Sequence, residues 1–376
     1  MRLRLFKFVV AIAILSLVAS CGKPKIADTS PLNSTSRPSS NYGDTMGMQE
    51  YRERLQRFVT DRLSGGDGVF TNFIDTAQRD EVATGHEVLS ESAGILLRYY
   101  ALTGQQELFD EAWANAKRVF TLDSGFSYRY SPKLHKRYST NAAVDDLRII
   151  RALSEAGAAF GDDRYAEEAR SYGQRFYEHN VVKGYLRDFY DDSVHTANNS
   201  VTLCYIDFSS LQVLPVPEKS LQKLNANMLN VVRGGYLSDG FPFYKTSYLY
   251  ETRTYSKGSI STVQSLLTIL SLAEIGQQQP ASVRYLKDQI GRGALYGQYT
   301  EDGKPASDVQ STAIYALAAM IGSVLDDQEL YEMSIRRMNQ YRVNDGNTPL
   351  QGGFGDVTTE QAYSFDNLMA LIAYAY

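Results

Sequence analysis

The sequence predicts an all-α fold, an (α/α)6 toroid with short strands or loops over one end. Three observations predict it. Amphipathic helical stretches come in pairs, a more apolar first member followed by a more charged second one. The polar or acidic starts of the apolar members, at Glu91, Asp146, Asp207, Ser261, Asp308 and Asp366, are spaced by 55, 61, 54, 47 and 58 residues, a near-regular period that indicates repetition and not two unrelated domains. Between the pairs, Gly125-Phe-Ser-Tyr-Arg-Tyr, Gly184-Tyr-Leu-Arg-Asp-Phe-Tyr and Gly240-Phe-Pro-Phe-Tyr alternate aromatic and polar residues around Gly, the pattern of short strands or extended loops.

In chain order, residues 1–20 read as a signal peptide. Arg2, Arg4 and Lys7 precede the apolar run Phe8 to Val18, which is too short to span a bilayer. The run closes on Val18-Ala19-Ser20-Cys21, similar to a bacterial lipobox. That resemblance implies removal of the leader, lipid on Cys21, and a location on the outer face of a bacterial cell membrane. Residues 21–43, rich in Ser, Pro, Thr and Asn, read as a flexible tether. The folded domain is expected over 44–376. Cys204 is the one cysteine left in it, so core burial must hold it together without a disulfide.

Within the domain, Glu91 to Leu102 pairs with Gln106 to Phe120, and Ala142 to Phe160 with Asp162 to Tyr177. Ser209 to Leu214 pairs with Glu218 to Val232, Ile260 to Ile275 with Ala281 to Gly291, and Val309 to Leu325 with Gln328 to Tyr341. The last apolar helix, Asp366 to Tyr376, finds its partner in Asp44 to Leu63. An open solenoid is the alternative, but six pairs with complementary chain ends favour a ring.

A formal charge of -5 excludes a nucleic-acid partner. The 27 tyrosines against one tryptophan suit a surface that stacks on sugar rings, although most of them are expected simply to pack at the edge of the core. The sharpest single feature is Glu91, an acid at the start of the apolar run Ser90-Glu-Ser-Ala-Gly-Ile-Leu-Leu. Acids gathered at the mouth of a ring of buried helices are the usual means of cleaving a glycosidic bond. A plain role in stabilising the first helical turn is the competing reading.

Two segments resemble family 8 glycoside hydrolases. Val88-Leu-Ser-Glu-Ser-Ala-Gly-Ile-Leu-Leu is similar to that family's Ser-Glu-Gly-Gln-Gly-Tyr-Gly-Met motif, with Leu108-Phe-Asp-Glu-Ala-Trp following it. Asn141-Ala-Ala-Val-Asp-Asp-Leu-Arg-Ile-Ile is similar to the family's Ala-Thr-Asp-Ala-Asp-Leu-Asp-Ile-Ala run. The resemblance implies Glu91 as general acid and Asp146 as the residue contacting the sugar at the cleavage point; Asp145 and Asp207 are added as further candidate substrate contacts. It implies a distant relative of the kind found as surface lipoproteins alongside exopolysaccharide synthesis. The family's catalytic base would fall in Thr254-Tyr-Ser-Lys-Gly-Ser-Ile-Ser-Thr-Val, which holds no acid; Glu251, Asp239 and Asp207 are the nearest replacements, with Asp239 or Glu251 preferred. Tyr128, Tyr130, Tyr185, Phe241 and Tyr244 are expected to hold neighbouring sugar rings.

The four histidines, His86, His135, His179 and His195, have no metal-ligand spacing, so no metal is expected, and the glycosidase mechanism requires no cofactor. The expected protein is a monomeric, lipid-anchored, inverting glycosidase whose partners are a polysaccharide and the membrane. Two rivals stand beside it. One is a uronyl hydrolase or polysaccharide lyase on the same ring, recruiting Arg129, His135 or Arg253; the other is a polysaccharide-binding lipoprotein without catalysis.

Overall fold

Thirteen α-helices appear among the described residues, 41–376, of the computed structural model. The signal peptide, Cys21 and most of the tether lie outside those residues. The first helix, α1 (Tyr42–Thr45), begins inside the expected tether and is separated from α2 (Gln49–Asp61) by Gly47, whose φ of +72° ends the helical path. The expected single helix from Asp44 to Leu63 is therefore two.

The remaining helices are α3 (Ser90–Leu102), α4 (Gln106–Phe120), α5 (Ala143–Phe160), α6 (Asp163–Asn180), α7 (Phe208–Gln212) and α8 (Glu218–Gly234). They continue with α9 (Thr262–Glu274), α10 (Pro280–Arg292), α11 (Thr312–Val324), α12 (Gln328–Met338) and α13 (Ser364–Ala373). The apolar member of each pair is the inner one. In α11 every residue from Thr312 to Ser323 is buried, as a helix that is apolar all round must be. Its partner α12 buries one stripe, Leu330, Tyr331, Ser334, Ile335 and Met338.

The inner helices close a ring: α3 packs on α5, α5 on α7, α7 on α9, α9 on α11, α11 on α13, and α13 back on α3. The closing seam is also hydrogen-bonded. Ser92 Oγ lies 3.1 Å from Ser364 Oγ, and the Ala362 amide donates to Asn72 Oδ1 at 3.1 Å. This is the (α/α)6 architecture expected from the spacing. No described helix is long and apolar enough to cross a membrane.

Short antiparallel strands sit at the N-terminal ends of the inner helices. Val88–Leu89 pairs with Arg129–Ser131 and leads directly into α3, with Leu89 opposite Arg129. Ser200–Thr202 pairs with Ser247–Leu249 ahead of α7, and Ile260–Ser261 pairs with Gln298–Tyr299 ahead of α9. One end of the ring is thus built from strands and turns, and the first turns of the inner helices open into it.

Helix starts divide into two kinds. Asp207 caps α7 by accepting the Ser210 amide at 3.0 Å, and Ser261 caps α9 by accepting the Gln264 amide at 3.4 Å. By contrast, α3, α5 and α13 begin on Leu89, Ala142 and Tyr363 with no side-chain cap, so the acids in their first turns are spent on other contacts. Asp366 accepts the Ala313 amide at 2.8 Å and so caps the neighbouring α11. Asp308 does not start a helix: it is exposed in the loop before α11, which begins at Thr312.

Candidate functional site

Glu91 and Asp145 face each other across the first turns of α3 and α5. Nη1 of Arg148, one turn further along α5, lies 2.9 Å from Asp145 Oδ1 and 3.4 Å from Glu91 Oε2. Ser90 Oγ lies 3.3 Å from Asp145 Oδ2. The Glu91 side chain keeps 28% of its surface exposed against 8% for Asp145, so of the two carboxylates Glu91 is the one open to an incoming molecule.

The electrostatics favour protonation. A helix N-terminus stabilises a carboxylate, and Arg148 does so too, yet burial raises the Glu91 pKa over both. Burial also raises Asp145 to about 7; Arg148 opposes the shift and the Glu91 charge adds to it. Two acids on one guanidinium therefore hold a proton between them near neutral pH.

Asp146 occupies a different place from the one expected. It is 1% exposed and points away from the mouth, with Oδ2 accepting from Asn141 Nδ2 at 2.8 Å and Oδ1 buried without a partner. Successive residues on a helix point about 100° apart, so the two aspartates of α5 cannot both face Glu91, and it is Asp145 that does. Gly125 makes room for Asp146: a Cβ there would lie 2.1 Å from Asp146 Oδ2. Gly125→Ala is expected to destabilise the fold by about 1–3 kcal/mol through overpacking, read as a lower urea midpoint.

A groove of about 340 Å³ borders this cluster, lined by Tyr128, Asn141, Asp188, Phe189, Thr202 and Tyr205 among others. Its two sides are fixed to the two helix starts. The Ser90 amide donates to Tyr128 O at 3.2 Å, and the Ala143 amide donates to Asp188 O at 2.7 Å. Asp188, Tyr205, Thr202 and Arg148 were not singled out from the sequence as site residues: Asp188 lies in a segment read for its aromatics and Arg148 in a helix read for its apolar period, while Thr202 and Tyr205 fall between the segments that carry a pattern.

Beneath the mouth, a cavity of about 60 Å³ on the ring axis is lined by Arg98, Arg148, Arg151, Asp207, Ser271 and Glu274 among others. It has room for ~4–6 waters at 10–15 Å³ each. Arg151 clamps Glu274 with two hydrogen bonds of 2.9 Å and reaches Glu155 at 2.9 Å and Asp207 at 3.6 Å. Arg98 adds Glu155 at 3.1 Å and the Tyr376 hydroxyl at 2.8 Å. The charge of Arg151 and the Ser210 hydrogen bonds outweigh burial and hold the Asp207 pKa below the usual carboxylate value. Cys204 lines the same cavity, and burial pushes its thiol up to about 12, which keeps it protonated and unreactive.

The other expected residues scatter. Asp239 accepts from the Tyr236 hydroxyl at 2.8 Å in the loop after α8, and Glu251 is exposed in the turn between Ser247–Leu249 and Thr254–Tyr255. Tyr128 lines the groove. Tyr130 is half-buried in the strand Arg129–Ser131, and Tyr185 stands edge-on to Tyr250 with ring centroids 5.4 Å apart. Phe241 (4% exposed) and Tyr244 (3%) belong to the core instead, Phe241 against Phe243, Tyr285 and Tyr299, so neither offers a ring face to a ligand. Arg129 is buried against Glu87 at 2.7 Å, its charge already neutralised, which removes it as a partner for a uronate.

No protein-family model matches the chain. It is 28% identical over 292 residues to a Bacillus subtilis (strain 168) protein named "Putative lipoprotein YdaJ", covering 76% of this chain and 78% of that one. Among solved structures, an α-amylase from Clostridium perfringens superposes with a TM-score of 0.80 at 28% identity, covering 86% of this chain and 97% of that one. PssZ from Listeria monocytogenes gives 0.68 at 19% identity, covering 92% and 97%. A cold-adapted family 8 xylanase in complex with substrate gives 0.61 at 11% identity, covering 91% and 96%.

The chain has the fold of the family 8 glycoside hydrolases. The resemblance first read from the Ser90-Glu and Asn141-Ala-Ala-Val-Asp-Asp segments thus extends to the whole helical ring. In this family 8 fold the strand-covered end holds both the Glu91–Asp145–Arg148 cluster and the groove beside it.

Proposed function

We propose that the protein is a glycoside hydrolase acting on a polysaccharide outside the cell, with Glu91 as proton donor and with lipid on Cys21 holding it to the membrane. The observation that carries the reading is Glu91 itself: exposed on one side, uncommitted to helix capping, and paired with Asp145 so that a proton stays near the ring mouth at neutral pH. A proton on a carboxyl group at an open cleft is what departure of a glycosidic oxygen requires. The name of the B. subtilis relative supports the lipid anchor.

A narrower reading, an α-glucan substrate, is favoured by the description of the C. perfringens relative as an α-amylase. The full chain incubated with amylose, xylan, a β-1,4-glucan and extracted surface polysaccharide is expected to release new reducing ends from at least one. Binding to these glycans without any chain shortening would overturn the reading in favour of a non-catalytic lipoprotein.

The acid pair also sets a pH dependence. Activity is expected to fall as pH rises through about 7, where the proton shared by Glu91 and Asp145 is lost. In Asp145→Asn, Arg148 acts on Glu91 alone and lowers its pKa, so the alkaline limb moves to lower pH. A limb that does not move would show that the two groups are not coupled in function.

A further inference from the structure

Inverting hydrolysis needs a second carboxylate to take a proton from the attacking water. Asp145 is badly placed for it. Its oxygen shares one guanidinium nitrogen with Glu91, so Arg148 and not a water fills the space between them. The hydrogen bond of Asp239 ties it to Tyr236, and Glu251 stands exposed at a hairpin turn. The groove presents another acid.

We propose that Asp188 is the carboxylate that activates the hydrolytic water, an inference that rests on the hydrolase reading above. Its backbone is fixed to the start of α5, and its side chain lines the 340 Å³ groove, a volume within the range of ligand sites. Oδ1 accepts the Thr202 amide at 2.5 Å. Oδ2 accepts from Thr202 Oγ1 at 3.2 Å, Ser200 Oγ at 3.3 Å and Asn198 Nδ2 at 3.5 Å. These bonds fix the orientation of the carboxylate, and with two lone pairs per oxygen Oδ1 keeps one free for a water. Burial raises the Asp188 pKa in spite of four donors, so it accepts a proton more readily than an ordinary carboxylate. Tyr128, Phe189 and Tyr205 supply aromatic walls to the same groove.

The step balances without any co-reactant. Water oxygen bonds to the anomeric carbon as the bond from that carbon to the leaving oxygen breaks. Asp188 takes a proton from the water while Glu91 gives its own to the leaving oxygen. Exchange with solvent then restores both acids.

The test uses the full chain, the polysaccharide it cleaves, and sodium azide as a substitute nucleophile that needs no base. Asp188→Asn is expected to lower kcat by about 10²–10⁴-fold with KM little changed. Azide is expected to restore turnover in that variant and to yield a glycosyl azide, while giving no rescue to Glu91→Gln. Thr202→Val, which loosens the same turn but keeps the carboxylate, is expected to lose far less. Equal losses in Asp188→Asn and Thr202→Val without azide rescue would reduce Asp188 to a residue that shapes the turn. Wild-type turnover with an Asp188→Asn variant of near-normal rate would overturn the assignment and leave the hydrolase reading standing. No wild-type turnover on any of the glycans would remove both.

Discussion

Glu91→Gln is expected to lower polysaccharide hydrolysis by about 10³-fold while leaving the fold intact. The substitution keeps the size of the side chain and a partner for Arg148, so the first turn of α3 has no reason to rearrange. What it removes is the proton. Departure of a sugar alkoxide at neutral pH depends on that proton, whereas departure of a fluoride does not. The loss should therefore be large on polysaccharide and small on the matching glycosyl fluoride. The ratio of the two losses, measured on the same preparation, separates a missing proton from a damaged site. A variant that cleaves polysaccharide at the wild-type rate would remove Glu91 from the mechanism.

Arg151→Met is expected to give the largest loss of stability, about 3–5 kcal/mol, because it leaves buried carboxylates without their counter-charge. Arg151 bonds Glu274 and Glu155 at 2.9 Å and lies 3.6 Å from Asp207; with it gone, Arg98 is left to balance both Glu155 and Glu274, and Asp207 loses its ion pair. Those acids can relieve the strain only by taking up protons. Their pKa values in the native variant then exceed those in the unfolded chain, so the native state binds more protons and its stability falls as pH rises. Urea midpoints should show a deficit that is smaller at pH 5 than at pH 8. A deficit independent of pH would mean that lost packing, and not unpaired charge, explains the change.

The helical ring was legible because it is written in a periodic signal. The core stripes of α4, α6, α8, α10 and α12, and the continuous apolar runs of α3, α9, α11 and α13, place the layers and most helix ends to within a few residues. The break at Gly47 escaped that signal, since a single glycine barely alters a period, whereas the short α7 was placed to within two residues of its observed ends.

The site was legible only in part. Glu91 stood out as an acid opening an apolar helix. The choice between Asp145 and Asp146 could not be made from sequence, because α5 is buried on both its α3 and its α6 side, so neither neighbour marks an inward face. The axial network was hidden for a related reason. Arg98, Arg151, Glu155 and Glu274 look like ordinary solvent-facing charges on separate helices until ring closure brings them together. Asp188 sits in a loop, where tertiary pairing and not periodicity decides what a side chain faces.

The most direct test of the account is a crystal structure of Glu91→Gln with an oligosaccharide of the cleaved polysaccharide. The saccharide is expected to lie along the groove of Tyr128, Asp188 and Tyr205, with a glycosidic oxygen within hydrogen-bonding distance of the residue 91 amide. A saccharide seated away from residue 91, or with only a terminal hydroxyl near it, would contradict the claim that this carboxyl group protonates the departing sugar.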